Sequence, residues 1–487
     1  MFNYILNNKY ALKKEYLIRL FSEFFSKSFN FLVIPIITYN LSVIDYGFYV
    51  QIICIVSGLI PLVTLGLNFT VIKNLAGNKS IRNNSQSFFA TVLFICISCV
   101  LLLFISYLII YFSDDKNIKK IIYFIIFLIM TSSLELITLE MLRAKIQSNF
   151  FCFLQVLSPL MILLILLIVS RLNFLDIANI LLSFSCVKIL IVIIGIFILN
   201  KRKFIAFNSF KVPDGFIKLY FYPGITFMLI GLSEWIINYS DKLIIGYFLN
   251  NKVVSIYYTI GLLSSGVLSI GSIFWWKLYP NLSELKLQNK KEEIFKLVHN
   301  LNNIFIELVI PVILIITLIG PSLINILLNI DEFDSSFIVF YFAVSILIHQ
   351  ISTGWEFYCY IEDKGKFILQ STLFWGIVSL ILNFILIPKF SIYGAITVLF
   401  LTKAGFSISL LQFVKKNGYT YDILNYSNLL KIIISLIVAI FTFITLKNIN
   451  FSLDNKFFEK FVLVTSTLSV YYFVRYPLLS YLRNRNI

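Results

Sequence analysis

SEWIINYSDKLIIGYFLNN, residues 233–251, is apolar enough to lie in a lipid bilayer, yet it carries Glu234, Asp241 and Lys242. Advancing about 100° per residue, a helix puts Glu234, Asn238 and Asp241 on one stripe. Lipid does not tolerate such a stripe, because a charge at bilayer depth costs about 2.5–3.5 kcal/mol on insertion scales. The stripe must face protein or a wet cavity. A cavity-lining role and a structural one both fit Glu234, the deepest of the three. Asp241 and Lys242 fall towards the outer end, and Lys242, off the stripe, is expected to reach the interface.

The surrounding sequence makes the membrane reading firm. The chain has 487 residues, 59% hydrophobic and 13% charged, with a mean hydropathy of +0.91. A soluble protein of this length needs far more charge to cover its surface. Apolar runs such as 88–112, 121–142 and 309–330 each suffice to cross a hydrocarbon core of about 30 Å, which takes about 20 helical residues. The runs are continuous rather than alternating, so they predict helices and not a barrel. The expected fold is all-α and polytopic. It has about fourteen spans, at 16–40, 47–69, 87–112, 119–142, 150–170, 177–199, 217–248, 253–276, 299–328, 336–361, 367–388, 392–414, 429–447 and 459–481. The start, MFNYILNNKYALKKEY, is mixed and basic, so no cleavable signal peptide is expected.

Lys and Arg set the orientation. With a cytoplasmic N-terminus, 27 of the 40 basic residues fall in inside segments and nine in outside ones; the other four, Lys27, Lys188, Lys242 and Lys403, lie within spans. Both termini are expected in the cytoplasm, and the membrane is expected to be a bacterial inner membrane. The same distribution explains the net charge of +16 and argues against nucleic acid as a partner, because the basic residues are spread through short loops.

Several chemistries are excluded. No external loop is long enough for a catalytic domain; the longer loops, 200–216 and 279–298, are cytoplasmic, and the second reads as a short amphipathic helix. There is no G-x-x-x-x-G-K-[ST] and no H-E-x-x-H, and only two histidines, so neither an ATPase nor a metalloenzyme is expected, and no cofactor. The six cysteines, including the C-x-x-C pair Cys96 and Cys99, lie in or beside apolar runs and read as small buried hydrophobes. DEFD at 331–334 reads as a solvated loop, and Trp275 and Trp276 as part of an interfacial belt.

An internal repeat is expected. At an offset of 211 residues, Glu23 falls on Glu234, Lys27 on Asn238, Asn30 on Asp241 and Tyr46 on Tyr257. This predicts two six-helix bundles, 1–203 and 204–416, related by a pseudo-two-fold axis along the membrane normal. Two further helices and a tail follow at 417–487. Parallel repeats of this kind are a transporter architecture with the site between the halves.

The remaining charges within spans complete the candidate set. Glu23 and Lys27 are four apart in the favourable order for an intrahelical pair. Lys188 and Lys403 are single cations with no acid within one turn, so each pairs across helices or faces an anion-attracting cavity. Glu140 and Arg143 read as an interfacial pair. His349, Thr353 and Glu356 form another i, i+4, i+7 stripe, where a histidine with a carboxylate can carry a proton or simply pack.

Three segments carry a resemblance. KSFNFLVIPIITYNLSVIDYGFYVQI, SDKLIIGYFLNNKVVSIYYTIGLL and LILNFILIPKFSIYGAITVLFLTK resemble the first hairpin, the seventh-to-eighth spans and the eleventh-to-twelfth spans of Wzx-type O-antigen and capsule flippases. These are polysaccharide transporters of the multidrug/oligosaccharidyl-lipid/polysaccharide exporter superfamily. The resemblance implies a non-enzymatic flippase that moves undecaprenyl-pyrophosphate-linked sugar repeat units to the outer leaflet by alternating access. It also implies membrane lipids, H+ or Na+, a polysaccharide polymerase and a chain-length regulator as partners. Within that reading Lys27, Lys188, Lys403 and, more weakly, Lys242 offer charge to a pyrophosphate. Glu23, Glu234, Asp241, Glu356 and His349 balance them or bind a coupling ion. A multidrug exporter of the same superfamily is the main rival, and four lysines within spans argue for an anionic substrate instead. A polymerase enzyme would need an external catalytic loop.

Overall fold

Every regular element among the described residues is a helix. The computed structural model describes residues 14–418 apart from 71–79, 113–115, 146–147, 207–211, 214, 276–277 and 331–332. In chain order the helices are α1 (Lys14–Asn40), α2 (Val43–Thr64), α3 (Ile81–Phe112), α4 (Lys116–Ala144), α5 (Ser148–Arg171) and α6 (Ile177–Lys201). After a π-helical turn, Ile217–Phe221, follow α7 (Tyr222–Phe248), α8 (Asn251–Trp275), the short α9 (Leu278–Leu287), α10 (Lys291–Leu328), α11 (Ser336–Ile361) and α12 (Gly365–Lys416). Eleven helical segments among the described residues are long and apolar enough to cross a membrane. The protein is a multi-pass membrane protein. The two spans expected at 429–447 and 459–481 lie outside the described residues.

Local chemistry explains several boundaries. Ser42 begins α2 by accepting the Asp45 amide at 3.1 Å, and Asp176 begins α6 by accepting the Asn179 amide at 2.7 Å, each satisfying an orphan helix donor. The α2 helix ends where Leu65 takes a left-handed conformation. The 52-residue α12 is two spans in one: Ser391 breaks it at φ 54°, ψ −135°. A Cβ on Gly394 would collide with the Leu386 carbonyl, which a continuous helix would hold far away. Phe367 and Phe413 stack at 3.9 Å from opposite ends, so the two halves run antiparallel.

Two compact units result among the described residues, 14–258 with 372–395, and 259–371 with 396–418. In the first, α1 packs on α5, α4 on α6, and α2 on α7. Its outward apolar stripes are intact: Leu93, Ile97, Val100, Leu101 and Phe104 on α3 are all exposed at helical spacing, as a lipid-facing side requires. In the second unit, α10 and the short α9 pack on α11. Ser407 of α12 reaches Ser352 of α11 at 3.1 Å, and Tyr341 stacks on Phe400 at 4.7 Å.

The α2–α7 contact is unusually close along its whole length. A Cβ at Gly58 would meet the Trp235 ring at 2.5 Å, and one at Gly246 would enter the Gln51 amide. Near the other end Gly66, at φ 65°, sits against the Gly224 carbonyl. Across this seam the Trp235 indole N–H donates to the Cys54 carbonyl at 2.8 Å.

Candidate functional site

The first unit holds a polar core built from three helices around α5. On α1, Arg19 pairs with Glu23, and Arg19 also donates to Gln155 of α5. The Gln155 amide donates in turn to Glu23 Oε1 at 3.1 Å. The Arg19 guanidinium lies over the Phe151 ring at 5.2 Å, one turn away along α5 from Gln155. Three residues beyond Gln155, Ser158 donates to Glu135 Oε1 of α4 at 2.9 Å. The other oxygen, Oε2, accepts from Lys188 of α6 at 2.5 Å. Buried carboxylates need such donors, because their desolvation is otherwise uncompensated. Towards the end of α4 Arg19 acts electrostatically on Glu140, which pairs with Arg143 at 3.5 Å. Just outside the span Lys145 donates to Asn84 at 2.9 Å, and burial holds its ammonium below the usual lysine range.

Lys188 pairs across helices with Glu135 and still keeps a fifth of its side chain exposed. That exposure is turned from the exposed apolar side of α6. The exposed apolar stripe of α6 runs through Leu182, Leu190, Ile193 and Phe197, and Lys188 lies about 160° around the helix from it. The α1 helix shows the same pattern. Its exposed apolar side carries Leu20, Phe21, Phe24, Phe25 and Leu32, whereas Asn30 points almost directly away from the centre of that side and Lys27 about 100° away, yet both are exposed.

The expected Glu23–Lys27 pair does not form. Glu23 turns back to Arg19, because Gln155 of α5 fixes both on that side, and Lys27 makes no ion pair among the described residues. Lys242 is a second correction. Rather than reaching the interface it is buried. Its ammonium binds Asp241 Oδ1 at 2.9 Å and the Asn238 carbonyl at 2.6 Å. It also lies over the rings of Tyr239 and Tyr257 at 5.4 and 5.1 Å. Tyr257, from the next helix, donates to Asp241 Oδ2 at 2.6 Å. The repeat partners Tyr46 and Tyr257 are both buried.

Glu234 is exposed, while Ile230, Ile237, Asp241 and Ile245 on the same side of α7 are buried, so it sits at a local opening in that face. In the second unit, His349 is half-buried with its ring 5.7 Å from Phe406 of α12, and buried Lys403 lies within electrostatic reach of it. Glu356 is half-buried two turns along α11 from His349. Among the described residues no group of three or more His, Cys, Asp or Glu is placed to hold a metal.

The sequence matches the profile of the polysaccharide biosynthesis proteins over residues 12–286, more than half of the chain. The chain belongs to that family. Among solved structures it is similar to the lipid II flippase MurJ in an inward closed conformation, with a TM-score of 0.70 at 15% identity, covering 94% of this chain and 97% of that one. It is also similar to an inward-facing multidrug resistance MATE family transporter of the MOP superfamily, with a TM-score of 0.62 at 12% identity, covering 83% and 98%. A mutant of the Vibrio cholerae MATE transporter VcmN gives a TM-score of 0.60 at 12% identity, covering 84% and 97%. No curated protein matches the chain in sequence. These likenesses establish the fold of the polysaccharide biosynthesis protein.

Sequence reasoning alone missed Arg19, Glu135, Gln155 and Ser158 as members of the polar core. The available signal was the pair Gln155 and Ser158, polar residues three apart on one side of an otherwise apolar helix.

Proposed function

We propose that this protein is a flippase for a lipid-linked oligosaccharide, moving an undecaprenyl-pyrophosphate-linked sugar unit from the cytoplasmic to the outer leaflet by alternating access. One observation carries the reading: Lys27 and Lys188 lie within spans, turned from the lipid-facing stripes of their helices, and both keep exposed surface there. Exposed cations in such a place attract an anionic head group, and a pyrophosphate is the anion that a lipid-linked sugar carries. Membership of the polysaccharide biosynthesis family and the likeness to a lipid flippase support the same direction. Arg19, already held by Glu23 and Gln155, serves to shape the site. Lys403 beside His349 offers a further cation in the second unit. Lys242 is committed to Asp241, and we assign that pair to holding α7 and α8 together. Glu234, at its opening on α7, is the carboxylate best placed to meet a coupling ion, H+ or Na+. Polymerase and chain-length regulator are the partners such a flippase feeds, in a bacterial inner membrane.

The test is genetic and direct. Deleting the gene should abolish surface polysaccharide and leave lipid-linked repeat units in the inner leaflet. The wild-type chain should restore the polysaccharide, and a chain with Lys27→Ala and Lys188→Ala at normal membrane levels should not. Intact polysaccharide together with new sensitivity to cationic drugs would overturn the reading in favour of drug export.

A further inference from the structure

We propose that Glu135 and Lys188 form a proton-exchange switch, in which Lys188 leaves Glu135 to hold an anionic group and Glu135 takes up a proton in its place. The inference rests on the anionic-substrate reading above and assigns that site a charge-compensating residue.

The pair lies deep in the membrane. Glu135 is nine residues before the end of α4 at Ala144, and Lys188 eleven after the start of α6 at Ile177, about 14 and 16 Å along the helix axes. The two members are unequally covered: the side chain of Glu135 is 9% exposed and that of Lys188 20%. The exposed part of Lys188 lies away from the apolar stripe of α6. An incoming anion therefore meets the ammonium and not the carboxylate. Once the ammonium turns to the anion, Glu135 keeps one donor, the Ser158 hydroxyl on Oε1, and loses the one on Oε2. A buried carboxylate without its counter-charge is neutralised by a proton.

Among the described residues no cation other than Lys188 pairs with Glu135. The helices packed on α4 are α6, α3, α2 and α5. Lys188 is the single charged residue of α6 before Lys201, and α5 presents only the Ser158 hydroxyl to Glu135 and carries no charge before Arg171. On α3 the titratable side chains are Arg82 at the cytoplasmic end, Cys96, Cys99, Tyr107 and Tyr111. On α2 they are Asp45 at the outer end, Tyr46, Tyr49 and Cys54. On α4 itself Lys116, Lys119, Lys120 and Tyr123 lie in the first turns, 12 to 19 residues before Glu135; Glu140 and Arg143 pair with each other, and Arg19 of α1 is held by Glu23 and Gln155.

The charges balance. In the resting cluster Glu135 and Lys188 sum to zero. In the loaded cluster Lys188 faces the anion and Glu135 is neutral, the proton coming from water on the exposed side of Lys188. Anion and proton enter together, so binding tightens as pH falls.

The experiment measures binding of undecaprenyl pyrophosphate by the purified full chain in detergent between pH 6 and pH 8.5, for wild type and Glu135→Gln. The probe's own titration is common to both, so the difference between them reports the protein. As pH falls, the affinity of wild type should rise more steeply than that of Glu135→Gln, by up to about tenfold per pH unit, because one extra proton is bound. Glu135→Gln, whose Lys188 is already released, should bind more tightly at the alkaline end. Equal pH slopes with intact binding overturn the switch and leave the flippase reading standing. Absence of wild-type binding at every pH overturns the anionic-substrate reading and the switch with it. Infrared difference spectra of wild type alone provide a second readout, independent of whether Glu135→Gln folds. A protonated carboxyl band must appear on binding, and its absence overturns the switch.

Discussion

Tyr257 donates its hydroxyl to Asp241 at 2.6 Å, from the helix that follows the one carrying the acid. The bond completes a buried cluster in which Lys242 neutralises the same carboxylate at 2.9 Å. Tyr257→Phe removes one hydrogen bond to a charged acceptor and should cost about 1.5–3 kcal/mol. Lys242→Met leaves a buried carboxylate uncompensated and should cost more, about 3–5 kcal/mol. Thermal unfolding of the purified protein reads both. The double change Asp241→Asn with Lys242→Met should be less damaging than Lys242→Met alone; strictly additive losses would contradict the cluster.

The α2–α7 seam gives a packing prediction. Gly58→Ala forces a methyl against the rigid Trp235 ring, an overpacking cost of about 1–3 kcal/mol. Trp235→Leu in the same chain should recover part of the loss, although the bond to Cys54 is gone. A Gly58→Ala protein with unchanged unfolding temperature would show that the helices are further apart.

Glu23 and Lys27 sit one turn apart and should behave in opposite ways. Glu23→Gln leaves buried Arg19 without its counter-charge, so stability should fall by about 3–5 kcal/mol. Lys27→Ala breaks no ion pair in the described structure and should leave unfolding within about 0.5 kcal/mol of wild type, while lowering surface polysaccharide. Equal stability losses from both would mean that Lys27 has a structural partner.

Ser391 has φ 54° and ψ −135°, where a Cβ is strained. Ser391→Gly should therefore hold or raise stability by about 1 kcal/mol, whereas Ser391→Val should lower it. Differential scanning of the two substituted proteins beside wild type decides this.

Much of the fold was legible because insertion into lipid is a local property of each segment. The seventh span, expected at 217–248, is the observed helical stretch Ile217–Phe248 with its π-helical start, and the tenth, 336–361, is α11. The break between the eleventh and twelfth spans was visible as the charge and small residues of 389–394. Pairing was not legible. Glu23 has a cation one turn away on either side, Arg19 and Lys27, and only Gln155, on a helix 132 residues distant, decides between them. Lys188 and Glu135 are 53 residues apart. Lys242 looked like an end residue because the aromatic rings that cover it include one from the next helix. A helical wheel assigns a side to each residue; the neighbour on that side is a property of the whole bundle.

The seam between α2 and α7 joins parts of the chain about 180 residues apart through backbone-to-ring and backbone-to-backbone contact. With glycine at the contact points, the helices approach closely enough that there is little slack to absorb a shear. Separating them would strip the Trp235 indole N–H of its acceptor inside a membrane, where water is not at hand to replace it. The two helices are thus mechanically a single double-width beam. Any bending of the unit must fall elsewhere, and the under-wound turn Ile217–Phe221, at the foot of that beam, is where its stiffness ends.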